Sequence, residues 1–288
     1  MIIKNYKKSE NAVVGIVASF LIVGLIVAVL AVVQTQYVPK WMREKEADHM
    51  SQVADQFSQL KYSIDLHRNN REKNTPISTT FKLGSREMPY LMSVRSFGSL
   101  KILPGSFNFT INNQTDKYSF LTGAIKYKSF NSYYIDQDFI FEAGSTIIDQ
   151  INGNTIYIRP SNFVVKFEDK LRIYYNLTNI VTIGNKDESV HGYGSVSIQT
   201  EYLSTFKYQV IRTVSNITLD TNYTNAWVNL MNSTFLKSGL NYGGYGTNYT
   251  IKIKDSLITV DFQDNVEVEL YLNVINIGAQ IGPGIIEY

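Results

Sequence analysis

The sequence predicts a mainly β chain: an N-terminal transmembrane helix, an amphipathic stalk helix continuing from it, then one or more antiparallel β-sandwich ectodomains. Three observations predict this. Twenty-two residues, Ala12 to Val33, carry no charge and are almost all aliphatic. Met50, Val53, Phe57, Leu60 and Ile64 recur at spacings of 3, 4, 3 and 4. From Ile77 onward the apolar period shifts to two, with short β-branched and aromatic runs punctuated by Gly, Pro and Asn.

The elements follow in order. Residues 1–11 are a short cytoplasmic or processed segment carrying Lys4, Lys7, Lys8 and Glu10. Residues 12–36 form the membrane helix. At about 1.5 Å per residue its apolar run spans about 33 Å, close to the thickness of bilayer hydrocarbon. The run ends in Val32-Val33-Gln34-Thr35-Gln36-Tyr37, without the small-residue site of a cleaved secretory signal. Processing before the run, of the prepilin type, stays open at Ser9 and Glu10. A carboxylate there would favour the helix dipole. The small residues Gly15, Ser19, Gly24 and Ala28, spaced 4, 5 and 4, would permit close helix–helix approach.

Residues 37–70 form the stalk helix, where Pro39 kinks or restarts the chain. Its seam of Met50, Val53, Phe57, Leu60 and Ile64 has two uses. It either docks on the β body of the same chain or packs against copies of itself. The polar stretch 67–76 reads as a linker, ending in Pro76. Residues 75–288 form a β-rich outer part, as one domain or two stacked sub-domains. Its strand candidates are 77–83, 98–102, 107–111, 124–127, 139–142, 155–158, 163–167, 171–177, 194–202, 226–230, 249–253, 257–262 and 266–277. Turns are expected at Pro104-Gly105, Asn112-Asn113, 152–154 and 184–187. A short helix near 223–236 competes with the strand at 226–230.

Orientation follows from sequons rather than from Lys and Arg, which balance across the span. Asn-x-Ser/Thr occurs at Asn108, Asn113, Asn176, Asn216, Asn222, Asn232 and Asn248, all after the helix. The chain is rich in Asn, Ser and Thr, so part of that number arises by chance. The placement still argues for an outer body, a cytoplasmic amino terminus, and Tyr37 and Trp41 as an aromatic belt.

Composition narrows the chemistry. With no cysteine in 288 residues the body is held by core packing, not disulfides. A net charge of +2 without basic runs gives no reason to expect nucleic acid. His49, His67 and His191 stand apart and make no zinc spacing. No G-x-S-x-G occurs. Asp136 and Asp138, and separately Asp187-Glu188, read as solvated acids rather than a calcium loop. Tyr133-Tyr134, Tyr174-Tyr175, Tyr242 and Tyr245 read as core and cross-strand residues before a sugar platform. No cofactor or metal is expected, and nothing points to an enzyme.

Several stretches resemble archaeal pilin-like surface proteins. They are Val38-Pro39, Glu46, His49-Met50, Val53, Gln56-Phe57, Leu60-Lys61 and Ile64-Asp65, continuing through residues 77–84. A second patch is Gly123 to Tyr127, then Asn131 to Tyr134 and Phe141-Glu142-Ala143-Gly144. The resemblance implies a non-enzymatic archaeal cell-surface protein related to type IV pilins or archaellins, with a glycosylated outer domain in a structural or adhesive role. Its partners would be the lipid bilayer and copies of itself or other pilin-like subunits. It would sit as a single-pass membrane protein or in an extracellular filament. One departure is that Lys7-Lys8-Ser9-Glu10-Asn11 matches the usual basic-plus-small processing site only loosely. The alternative is a membrane-tethered binding module for a sugar, a surface-layer protein or a solute. A tethered monomer would release a soluble fragment from about residue 75.

Overall fold

A computed structural model describes residues 7–85, 96–151, 153–160, 163–183, 189–208, 210–243 and 246–282, with side chains from Val13 onward. Helix α1 (Lys7–Val32), a π-helical turn (Val33–Tyr37) and helix α2 (Val38–Asn70) follow one another without a break. Pro39 does not stop the helix. In a regular α-helix its ring would meet the carbonyl four residues back, and its missing N–H would leave that carbonyl unpaired. The turn ahead of it widens instead, and the Val38 N–H bonds to the Val33 carbonyl five residues back. Every described side chain from Val13 to Val32 is exposed. α2 ends at Arg71, which adopts the left-handed conformation and donates its N–H to the His67 carbonyl.

Among the described residues, fourteen strands and one further helix form the body. One sheet has the order β1 (Ile77–Lys82), β10 (Ser195–Lys207), β14 (Val268–Gly282), β8 (Leu171–Thr182), β7 (Phe163–Phe167). The other has the order β12 (Tyr249–Lys254), β13 (Leu257–Phe262), β11 (Val214–Asp220), β2 (Phe97–Asn113), β3 (Lys117–Phe130), β4 (Asp138–Glu142), β5 (Ser145–Gln150), β6 (Gly153–Ile158). β9 (Ser189–Gly192) pairs with the first part of β2, whose second part pairs with β11. Helix α3 (Thr224–Lys237) covers one end, so the 226–230 segment is helical and not a strand.

Three details differ from the sequence expectation. β8 and β14 pair in parallel, Leu171 opposite Val268 through Thr182 opposite Ala279. All other sheet pairs among the described strands are antiparallel. Pro104-Gly105 is a bulge inside β2, not a turn. The pairing with β3 jumps there from Leu103–Ala124 to Phe107–Thr122, and Gly105 takes a φ of 63°. Pro104 has no ladder N–H to lose, and Gly105 accepts the left-handed backbone, so the strand bends and continues. The strands β5, β9 and β11 lie outside the segments that alternation picked out. The turn expected at 184–187 lies outside the described residues.

The two sheets meet directly over only part of their area. There Phe107, Phe109 and Ile111 of β2 pack with Ile173, Tyr175 and Leu177 of β8, and Trp227 and Phe235 of α3 join the same core. Elsewhere α2 lies against both sheets. Its seam, Met50, Val53, Phe57, Leu60 and Ile64, shares a second core with Phe81, Ile198 and Ile277 of one sheet and with Ile125, Tyr127 and Phe139 of the other. Phe57 stands between them, 5.2 Å from the Phe81 ring and 5.6 Å from the Phe139 ring. Of the two uses open to the seam, the structure takes docking on its own body. Gly98 keeps the junction close. A Cβ there would collide with the Leu83 carbonyl and the Tyr127 hydroxyl.

Two expected outcomes follow from this packing. Phe57→Ala costs about 3–5 kcal/mol, the usual range for a buried aromatic, read from urea unfolding of residues 38–288. A fragment beginning at residue 75 lacks the helix that covers Phe81, Phe139 and Ile277. It is expected to aggregate where the 38–288 fragment is monodisperse by size-exclusion chromatography. A monodisperse 75–288 fragment of equal stability would show that α2 is dispensable to the core.

Candidate functional site

The polar chemistry of this chain gathers where α2 meets the body. The seam register runs backward from Met50 to Glu46, a carboxylate where an apolar residue belongs. Glu46 is fully buried. It accepts the backbone N–H groups of Ser132 at 3.0 Å, Tyr133 at 2.7 Å and Tyr134 at 2.6 Å. Three successive amides make a concave anion seat, so the segment joining β3 to β4 is clasped to the helix through its backbone. The signal in the sequence was a lone acid in step with an apolar seam.

One turn further on, His49 is buried and its Nε2 lies 3.1 Å from Tyr127 Oη. Tyr127 donates its proton to the Leu83 carbonyl at 2.7 Å. His49 Nε2 therefore carries the hydrogen in its contact, and Nδ1 is left as a buried acceptor without a partner. Burial first, and the nearby Lys82 ammonium, push the His49 pKa down to about 4 against the opposing pull of the Leu83 carbonyl. At the far end of α2, Asp65 accepts Lys61 at 2.8 Å and Arg68 at 2.9 Å, with both cations nearly buried. Burial lowers the pKa of Lys61 and that of His67.

A second buried acid ties the opposite core. Glu142, at the end of β4, accepts Thr221 Oγ1 and Trp227 Nε1, each at 2.8 Å. Burial raises its pKa to about 7, against the pull of those two bonds. The next residue, Ala143, turns with a φ of 50° and offers its carbonyl to Tyr175 Oη at 2.8 Å. Glu142 stands among Phe139, Ile140 and Phe141, and that acid in an apolar run was its only trace in the sequence.

The seven sequons sort by environment. Asn248 is buried. Asn176 accepts from Asn273 across the parallel strand pair, and Asn216 from Asn112 across β11 and β2. Asn108 accepts from Ser119 Oγ, and Asn232, on α3, from Tyr249 Oη. Asn113 caps the β2–β3 turn, accepting the N–H groups of Thr115 and Asp116. Asn222, in the loop between β11 and α3, is exposed.

The remaining candidates are dispersed. Gly15, Ser19, Gly24 and Ala28 are all exposed along α1, and Ser19 Oγ bonds back to the Gly15 carbonyl. The side chains of Ser9 and Glu10 lie outside the described residues, as do Asp187, Glu188 and Tyr245. Asp138 is not a free solvated acid but pairs with Lys126 at 2.9 Å, and Asp136 accepts the Asn131 N–H. Tyr174 stacks on Tyr271 with ring centres 4.6 Å apart, and Tyr175 is buried between Phe109 and Phe163. Among the described residues no cluster of His, Cys, Asp or Glu could hold a metal ion. An open groove of about 250 Å³ runs between β7 and α3, with Phe163, Val164 and Leu230 on its floor and Arg159 and Lys237 beside them. Protein-family models, curated proteins and solved structures give no match to this chain, so its own geometry carries the functional reading.

Of the buried titrating groups, His49 and Glu142 pull in opposite senses. His49, folded at about 4 against an ordinary 6.5, adds stability that is complete above pH 6.5 and lost as pH falls toward 4. Glu142, folded at about 7 against an ordinary 4.5, adds stability that is complete below pH 4.5 and lost as pH rises through 7. Each swing is bounded at about 3 kcal/mol, at about 1.4 kcal/mol per pH unit. Urea melts of residues 38–288 between pH 4 and 8 separate them. Glu142→Gln is expected to gain most at pH 8, and His49→Gln to flatten the slope between pH 6.5 and 4. Parallel curves for the parent and both variants would show that neither group titrates in this way.

Proposed function

We propose that the chain is a non-enzymatic cell-surface protein of the pilin-like class, held by α1 and presenting its β body outside the membrane in a structural or adhesive role. One observation carries the reading. A single uninterrupted helix is bare and apolar over its first part and locked into the β body over its second. An apolar rod of that length is stable in lipid or in a bundle of like helices, and unstable in water. Tyr37 and Trp41, half-exposed with ring centres 5.8 Å apart, stand where such a rod would leave hydrocarbon. The sequons after α1 support an outer location for the body, and the absence of any cysteine suits a body held by packing alone.

Gly15 with Ser19 and Gly24 with Ala28 are two i, i+4 pairs of small residues on opposite sides of α1, each of which would let a like helix approach closely and so supports assembly with itself or with similar subunits. The seam on α2 is already occupied, so assembly would run through α1 and not through α2. A second reading, a tethered binding module, is favoured by the groove between β7 and α3. Its apolar floor and two cations suit a ligand that is part apolar and part acidic.

The deciding measurement is the N-terminal residue of the mature protein from its native surface, by intact-mass and peptide mass spectrometry. A start between Ser9 and Ala12 indicates prepilin-type processing and a filament. A retained Met1 indicates a permanent anchor. Cleavage after Val33, or a full-length chain recovered in the soluble fraction, would sink the reading. The full chain is expected to stay with membranes through an alkaline carbonate wash, and the 38–288 fragment to leave with the supernatant.

A further inference from the structure

We propose that the folded body carries N-linked glycan at Asn113 and Asn222 and at none of its other sequons. The inference rests on the outer location proposed above, and it names the modified residues. In N-glycosylation the Asn carboxamide nitrogen attacks the anomeric carbon of a lipid-phosphate-linked oligosaccharide. A C–N bond forms and the sugar C–O bond breaks. The lipid phosphate leaves with the electron pair, and the nitrogen gives up one proton to a base on the transferase. The acceptor side chain must be reachable from solvent, and the Ser or Thr two residues on must be exposed enough to meet the enzyme.

Five sequons fail one or both conditions. Asn248 is 9% exposed. The third-position hydroxyl of the Asn176 sequon, on Thr178, is 1% exposed, and that of the Asn108 sequon, on Thr110, is 8% exposed. Asn232 sits within α3, where Thr234 bonds back to the Leu230 carbonyl at 2.7 Å. Asn216 lies mid-strand in β11, flanked by β2 and β13, with its carboxamide held side by side with that of Asn112 on the sheet face. Sugar attached there before folding does not escape the constraint. A glycan on a side chain that folding buries or fits between two strands opposes that folding.

The other two sequons lie at the ends of strands. At Asn113, the last residue of β2, the Oδ1 atom receives the backbone N–H of Thr115 at 3.0 Å and that of Asp116 at 2.5 Å, so the oxygen and not the nitrogen holds the turn, and the exposed Thr115 donates its hydroxyl to Asp116 at 2.8 Å. Gln114, Thr115 and Asp116 are all exposed around it. N-linkage keeps Oδ1 as an acceptor, so the turn survives the modification. Asn222 is exposed, and it follows the end of β11 just ahead of α3.

Glycopeptide mass spectrometry on the full-length chain from its native surface tests this, together with Asn113→Gln, Asn222→Gln and Asn176→Gln variants. The first two are each expected to lower the intact mass by one glycan, and their combination to remove all glycan. Asn176→Gln is expected to change nothing. Glycan at Asn108, Asn176, Asn216, Asn232 or Asn248 would overturn the proposal, as would a surface chain with no glycan at all. Labelling intact cells with an impermeant amine reagent separates the two failures. A labelled but unglycosylated chain refutes the glycan sites alone. An unlabelled, unglycosylated chain refutes the outer location as well.

Discussion

The apolar face of α2 closes the gap between two sheets that part from one another, and the rest of the structure depends on that contact. Where the sheets meet directly, Phe107, Phe109 and Tyr175 fill the core. In the second core, Phe57 with its neighbours on α2 packs between residues of both sheets. The body is thus a sandwich completed by a helix, and the helix is continuous with the bare apolar rod of α1. A widened turn at Val33–Tyr37 absorbs Pro39, so the helix runs on from the rod into the body without a break. In the proposed function this makes α2 a built-in part of the outer body and not a free spacer beneath it.

Polar contacts give that apolar interface its register. A seam repeating every three to four residues could slide by one heptad and still bury apolar area. Glu46 resists sliding, because it is seated on the amides of Ser132, Tyr133 and Tyr134. His49, bonded to Tyr127, which in turn bonds the Leu83 carbonyl, adds a further point that matches in one register alone. A buried charge or amide seat contributes little net stability when satisfied and costs much when broken, so such groups specify position more than strength. Glu142 does the same for the other core, joining β4 to Thr221 and to Trp227 of α3.

The stretches 38–65 and 123–144 set apart in the sequence are largely the residues of this junction. Glu46, His49, Met50, Val53, Phe57, Leu60, Lys61, Ile64 and Asp65 lie on α2, and Tyr127, Tyr133 and Tyr134 contribute to its seat. Glu142 belongs to the other core. The grouping gives those residues a physical task, holding a helix in a sandwich, without assigning them any reaction.

The sequence by itself determined the local elements. A charge-free run of 22 residues, a 3-4 seam and a period of two each express how side chains repeat along a helix or a strand. It also carried faint marks of the junction, an acid at 46 in the seam and an acid at 142 in an apolar run. Only the tertiary structure decided what the seam packs against, because an apolar stripe is equally complementary to its own body and to a copy. The parallel pairing of β8 with β14 joins residues 97 positions apart, and no local period records a partner at that distance. Pro104-Gly105 reads the same locally in a turn and in a bulge, and the partner strand β3 made it a bulge. Sequon spacing says nothing of exposure, so only packing separates Asn222 in its loop from Asn248 in the interior.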